Sequence, residues 1–265
     1  MENQWNEMYC LAKQWAKEAA ERIKETFSEE LQIQSKTSRK DIVTNVDKEI
    51  EQFFSRKLNE TFPEHKMLGE EGIGHDLIDQ KGIVWIIDPI DGTLNFVHQK
   101  RNFAISIGIY EDGIAKIGII YDVMLDEMYH AMEGQGAFLN EQKLKKLQEI
   151  DIEESIIAMN TTWLLPNKLL PYEKAVSLVR SARGTRSFGS AAIEIASVAA
   201  GRVDAYMAVS LAPWDIAGGA VIIKEVGGLF TTIDGKLLAG TESKTSLLVA
   251  KPGLHKQIIK TIKNP

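Results

Sequence analysis

With 265 residues, 44% hydrophobic and 26% charged, the chain has an ordinary folded-protein composition and is long enough for one large domain or two joined ones. A net charge of −6 and a pI near 5.5 exclude the basic face of a general nucleic-acid binder, and the single cysteine, Cys10, excludes an intrachain disulfide or a thiolate metal cage. No run approaches the roughly 18 apolar residues of a membrane helix, and the acidic opening (Glu2, Glu7, Glu18, Glu21) does not read as a signal peptide, so a cytoplasmic protein without a membrane partner is expected.

Trp5, Met8, Ala12, Trp15, Ala16, Ala19, Ile23 and Phe27 recur at helical spacing and predict a core-packing helix over 3–27. Ser35-Lys36-Thr37-Ser38-Arg39-Lys40-Asp41 reads as a polar, mobile loop. A helix over 45–62 follows, opened by a Thr44-x-x-Asp47 pattern that resembles a capping box and stopped by Pro63. Asp47 therefore has two readings, a cap or a carboxylate that polarises a hydroxyl or water. His65 to Gly72 forms a short strand ending in the acids Glu70 and Glu71, and 73–82 reads as a surface loop.

Ile83 to Ile87 is β-branched and apolar, as a buried strand should be, and Pro89 is expected to end its ladder. Two hairpins come next: 103–110 with 114–121 across Glu111-Asp112-Gly113, and 127–131 with 137–139 across Glu133-Gly134-Gln135-Gly136. Lys143, Lys145 and Lys146 read as a solvated face. The second half alternates. Strands are predicted over 155–159, 203–209, 229–232 and 247–250, and helices over 169–180, from Ser190 to Ala200, from Trp214 to Val226 and from Leu254 onward. Asp215 reads by itself as an N-cap. His65, His75, His98, His130 and His255 lack ligand spacing, which disfavours zinc.

The chemistry concentrates in Asp88-Pro89-Ile90-Asp91-Gly92-Thr93. Acids three apart on a turn can aim at one point. Carboxylates that close repel each other unless a cation lies between them. Gly92 lets backbone approach a ligand, and the free N–H groups of Gly92 and Thr93 suit a phosphate. Hard oxygens beside an anion cradle suit Mg²⁺. The simpler alternative is an Asp-Pro turn with Asp91 capping a short helix.

Lys36, Asp41-x-x-Thr44-x-x-Asp47, Gly69-Glu70-Glu71, the Asp88 to Thr93 turn, Thr93-Leu94-Asn95-Phe96-Val97-His98, Gly134-x-Gly136-Ala137-Phe138, Gly189-Ser190-Ala191 and Trp214-Asp215 occur in this order. Together they closely resemble the inositol monophosphatase family, from the first helix to Gly228. The resemblance implies a layered α/β protein with the α-β-α-β-α sugar-phosphatase fold. It would form one domain over 1–265, with a mostly antiparallel half to about residue 150 and a mixed sheet with helices over 151–265. It implies Mg²⁺-dependent hydrolysis of a small phosphomonoester, two or three Mg²⁺ per site, sensitivity to lithium and a homodimer.

By position, Glu70, Asp88 and the Ile90 carbonyl would hold the first metal. Asp88, Asp91 and Asp215 would hold the second, with Glu70 helping to seat a third. Gly92 and Thr93 would take the phosphate, Thr93 with Asp47 would activate water, and Lys36 would sit beside the metals. Gly189, Ser190 and Ala191 would line the alcohol side. One departure stands out: many members carry a glutamate seven residues before the Trp-Asp aspartate, where this chain has Ala208. That keeps NADP, fructose bisphosphate and adenosine bisphosphate open as substrates, and it predicts that Ala208→Glu sharpens selectivity for inositol monophosphate. Two other readings rank lower: a regulatory binding protein retaining the fold, and an aspartyl-nucleophile phosphatase, whose acids would stand two apart.

Overall fold

The computed structural model describes residues 2–28, 30–38, 41–72, 81–165 and 169–263, and within them the side chains of residues 2, 3, 36–38 and 41 are not described. The first half contains α1 (Glu2–Glu25), β1 (Ile33–Ser38), β2 (Asp41–Thr44), α2 (Asn45–Thr61), β3 (Lys66–Gly69), β4 (Ile83–Asp91), α3 (Thr93–Gln99), β5 (Ala104–Glu111), β6 (Ile114–Asp122), β7 (Glu127–Met132), β8 (Gly136–Leu139) and β9 (Gln142–Lys143). The second contains β10 (Ile156–Met159), a 3-10 turn (Thr161–Leu164), α4 (Tyr172–Ser181), β11 (Gly184–Arg186), α5 (Ala191–Ala199), β12 (Ala205–Leu211), α6 (Pro213–Glu225), β13 (Leu229–Thr231), β14 (Thr245–Ala250) and α7 (Leu254–Lys263). Among the described residues, no helix is long and apolar enough to cross a membrane.

Strands β3 to β9 form a seven-stranded sheet in sequence order, antiparallel except for the parallel β3–β4 pair. A five-stranded mixed sheet runs β11-β10-β12-β14-β13. Period-2 alternation along these strands feeds separate cores. Ile105, Ile107 and Ile109 of β5 face α1 and α2, through Met8, Trp15, Ile50 and Phe54. The opposite face packs on α5 and α6, which meet Tyr206, Ala208, Leu247 and Val249 of the second sheet. The far face of that sheet sends Met207 and Leu248 against α4 and α7. The result is the expected α-β-α-β-α layering. Each fully buried isoleucine contributes about 1.5–3 kcal/mol to it.

Helix α6 lies unusually close to the first sheet because both surfaces are shaved. A Cβ on Gly108 would come within 2.8 Å of Ala217, and one on Gly118 within 2.3 Å of the Gly218 carbonyl oxygen. This contact sets where the N-terminus of α6 arrives.

Four details differ from the sequence expectation. The polar stretch around Lys36 is strand β1, paired antiparallel with β2; it carries no apolar alternation to announce itself. Strand β4 does not end at Pro89 but continues to Asp91 through a bulge. Helix α4 starts at Tyr172, after Pro171, and the short strand β11 was not expected. The surface loop expected over 73–82 lies largely outside the described residues.

Candidate active site

Asp88 pairs with Ser106 and Asp91 with Ala104, so three steps on β4 oppose two on β5. The extra residue makes a bulge, one of the few places in a central strand where proline, lacking an N–H, is tolerated. The Ile90 N–H donates to Asp88 Oδ1 at 3.0 Å, which tightens the turn, and the Ile90 side chain is fully buried beneath it. Gly92 follows with φ +95°, a left-handed conformation costly for any other residue, and a Cβ there would meet the Asn102 carbonyl oxygen at 3.1 Å and Ser190 Cβ at 3.2 Å.

Asp215 enters from α6. It occupies the third helical position rather than the N-cap, and its Oδ2 accepts the Ala212 N–H at 2.7 Å. One carboxylate oxygen from each of Asp88, Asp91 and Asp215 lies within 4.8 Å of the others. Glu70, at the end of β3 and half-buried, lines the same cavity. Its turn is set by Glu51, a fully buried α2 residue whose Oε2 accepts the Glu71 N–H at 2.6 Å.

Asp47 caps α2 and also faces a hydroxyl of the cavity wall. Its Oδ2 accepts the Thr44 N–H at 2.9 Å and the Thr44 hydroxyl, completing the capping box of α2. Its Oδ1 lies 3.1 Å from the Thr93 hydroxyl, which is equally close to the Ile90 carbonyl. Ser190, the N-cap of α5, accepts the Ile193 N–H at 3.2 Å and donates its hydroxyl to Asp91 Oδ2, which also accepts the Ala192 N–H at 2.7 Å.

Electrostatics follow from burial. Burial pushes the Asp88 carboxyl well above its usual range, and the charges of Glu70, Asp91, Asp215 and Asp47 push it further. Burial raises Asp91 to about 6 against the opposing pull of Ser190 and the Ala192 N–H. Asp47 is raised by burial and held back by Thr44 and Thr93. A set of crowded, hard carboxylate oxygens that resist ionising together fits a divalent cation such as Mg²⁺, whose charge would reverse every one of these shifts.

A cavity of ≈ 440 Å³ lies over the cluster. Its wall takes Glu70, Asp88, Ile90, Asp91, Gly92, Thr93, Gly189 and Asp215, all expected from the sequence. It also takes Ile42, Leu94, Asn95, Asn160 and Thr162, which were not proposed as site residues. Ser190 and Ala191 are not part of that wall, though Ser190 donates to Asp91. Lys36 is on β1, with its side chain outside the described residues. Ala208 is a correction: it is fully buried on β12 in the layer that holds Ile216 and Leu247, and it does not line the cavity. The gain in selectivity expected from Ala208→Glu therefore gives way to an expected loss of stability, because a glutamate there would carry its carboxylate into a packed apolar layer.

Comparisons with known proteins cover nearly the whole chain. A sequence model of the inositol monophosphatase family matches residues 4–264. The inositol-1-monophosphatase of Bacillus subtilis (strain 168) is 53% identical over 254 residues, covering 96% of this chain and 96% of that protein. The crystal structure of inositol monophosphatase II from Staphylococcus aureus MSSA476 superposes with a TM-score of 0.87 at 44% identity, over 97% of this chain and 96% of that one. An IMPase/NADP phosphatase crystallised with Mg²⁺ and phosphate superposes with a TM-score of 0.91 at 27% identity, over 99% and 97% of the two chains.

Proposed function

The chain belongs to the inositol monophosphatase family, and we propose that it hydrolyses inositol monophosphate to inositol and phosphate with Mg²⁺, using water activated beside the Asp88 turn. The observation that carries this reading is the convergence of Asp88, Asp91 and Asp215 within 4.8 Å, on one cavity wall with Gly92 and Thr93. Asp88, Asp91, Asp215, Glu70 and the Ile90 carbonyl would hold the metal. Bound Mg²⁺ supplies neutralising charge for the phosphate dianion and lowers the pKa of a coordinated water.

This chain's residues do the rest. The backbone N–H groups at Gly92 and Thr93 orient the phosphate. The Thr93 hydroxyl, held by Asp47, takes a proton from the attacking water as its own proton moves to the carboxylate; the water oxygen bonds to phosphorus, the P–O bond to inositol breaks, and the leaving inositol oxygen takes up a proton from solvent. Positioning and electrostatics carry most of the barrier reduction, so no covalent phosphoenzyme is required. A homodimer with two or three Mg²⁺ per site belongs to the same proposal, supported by family membership and open to sedimentation and metal titration.

The likeness to an IMPase/NADP phosphatase, with a TM-score of 0.91 at 27% identity, supports a second reading, the same chemistry on a bulkier phosphate such as NADP. Phosphate release from inositol monophosphate, fructose bisphosphate, adenosine bisphosphate and NADP, with and without Mg²⁺, tests both. Release that does not depend on a divalent cation overturns the mechanism, and a preference for another substrate overturns the assignment of inositol monophosphate.

A further inference from the structure

Helix α5 reads Ala191-Ala-Ile-Glu-Ile-Ala-Ser-Val-Ala199, and its one charged residue, Glu194, is buried with 3% exposure. Glu194 Oε1 accepts the Phe188 N–H at 2.6 Å, and the Gly189 N–H also points at this carboxylate. The other oxygen, Oε2, is buried with no hydrogen-bond partner among the described residues. Stranding a carboxylate oxygen in this way costs stability, and such exceptions usually have a reason.

The corner that Glu194 grips leads straight to the metal cluster. Asn95 Nδ2 donates to the Phe188 carbonyl at 2.7 Å, so the same residue is held from the α3 side as well. Gly189 follows with φ +82°, and a Cβ there would meet Asn95 Nδ2 at 2.9 Å. Next comes Ser190, whose hydroxyl holds Asp91. Its Cβ and the Gly189 carbonyl also bound the space beside Gly92, where an added Cβ would meet them at 3.2 and 3.4 Å. The connection runs from Glu194 through Phe188 and Ser190 to the Asp91 carboxylate.

We infer that Glu194 is a positioning residue for the hydrolytic site, holding the Phe188 to Ser190 corner so that Ser190 fixes the Asp91 carboxylate. This rests on the phosphatase reading above. A purely structural role, an acid in the first turn of α5 tying down a loop, predicts lost stability with unchanged turnover. A positioning role predicts lost turnover.

The test compares Glu194→Ala, Glu194→Gln, Ser190→Ala and the double variant Glu194→Ala with Ser190→Ala. Each is melted by circular dichroism and assayed with inositol monophosphate and Mg²⁺. Glu194→Ala should lower kcat about tenfold or more while KM moves less than about threefold, the range expected for lost partners behind metal ligands. Glutamine keeps an oxygen that accepts the Phe188 N–H, so Glu194→Gln should stay within about threefold of wild-type kcat. The double variant should be little slower than the slower single, because both act on one connection. Should Glu194→Ala fail to fold, Glu194→Asp, which withdraws the acceptor by one methylene, replaces it in the same comparison.

A kcat for Glu194→Ala within about twofold of wild type overturns the inference, as does a glutamine variant as slow as alanine, or losses that multiply in the double variant. Calorimetric binding of inorganic phosphate in the presence of Mg²⁺ gives a second readout, weakened by alanine and restored by glutamine. It still decides the role of Glu194 should the wild type prove inactive on inositol monophosphate, a result that counts against the proposed substrate alone.

Discussion

Asp88, Asp91 and Thr93 stand on buried backbone that is hydrogen-bonded at nearly every step, whereas Asn160 and Thr162, across the same cavity, stand on a 3-10 turn at the surface. The first wall is anchored by a strand bulge, two helix caps and the close approach of α6. The second is held at its exposed start by Asn160 Oδ1, which accepts the Thr162 N–H at 2.9 Å and the Thr162 hydroxyl at 2.8 Å, while Trp163 and Leu164 pack its far side against the cores. Rigid backing suits a wall that must place charge to a fraction of an ångström. The exposed start of a turn can change with little disturbance to the core, and that suits a wall that reads the variable part of a substrate. Damage to the first wall should therefore appear in kcat, and damage to the second in KM and substrate choice.

The largest expected effect comes from Asp88→Asn. Asp88 is fully buried among Glu70, Asp91, Asp215 and Asp47, and no neighbour can replace its charge toward a metal. Turnover at saturating Mg²⁺ should fall below about a tenth of wild type. Relief of like-charge crowding should leave metal-free stability equal or higher. A variant that keeps more activity than this would show that Asp88 is not part of the working site.

Asp47→Asn should cost about 10²-fold in kcat with KM nearly unchanged, the scale of a lost proton acceptor. The single oxygen of asparagine can keep the Thr44 N–H and hydroxyl while its amide nitrogen replaces the oxygen that faces Thr93, so the cap survives and the melting temperature should move little. Equal losses in stability and turnover would reduce Asp47 to its capping role.

The third effect is on stability. Asp91 is raised to about 6 in the folded protein, above the ordinary carboxyl value. The metal-free fold therefore binds more protons than the unfolded chain between the two values. The stability contributed by protonated Asp91 is fully present below about 4 and is lost as pH rises through about 6. The expected loss is on the order of 2–3 kcal/mol from Asp91 alone. With Mg²⁺ bound the carboxylates ionise at little cost, so the gap in melting temperature between Mg²⁺ and chelator should widen by several degrees from pH 5 to pH 7. A gap that stays constant across this range would place the cation elsewhere.

The contrast between the walls also explains what the chain revealed before its structure. The Asp88 to Thr93 turn was legible because its acids, proline and glycine are neighbours in sequence, so their spacing carries the chemistry. The layering was legible because strand alternation and helix periodicity are local too. Strand β1 was missed because every residue after Ile33 is polar, and the passage of β4 through Pro89 was missed because only pairing with β5 reveals a bulge. Asn160 and Thr162 reach the cavity through sheet pairing, about seventy positions along the chain from Asp88, and nothing local marks them. Glu194 did leave a trace, as a single acid inside an apolar helix. Ala208 misled because its position in the chain, seven residues before Asp215, does not disclose which surface it meets.

The smallest effect, and the one that most sharpens the comparison, concerns Asn160. Both donors of Thr162 are spent on its Oδ1, which fixes the carboxamide orientation and leaves the amide N–H₂ edge as the group Asn160 has to offer. Such a donor suits a hydroxyl or phosphoryl oxygen on the substrate's variable part. Asn160→Ala removes the donor and loosens the turn. It should raise KM for inositol monophosphate about three- to tenfold, the worth of one exposed hydrogen bond, with kcat within about twofold. The shift should differ between inositol monophosphate and NADP, because the two present different groups at this distance from the phosphate. Steady-state constants for both substrates in wild type and variant decide the matter. A uniform fall in kcat for both, with KM unmoved, would mean that the exposed turn supports the chemistry after all and that the two walls are not divided between reaction and recognition.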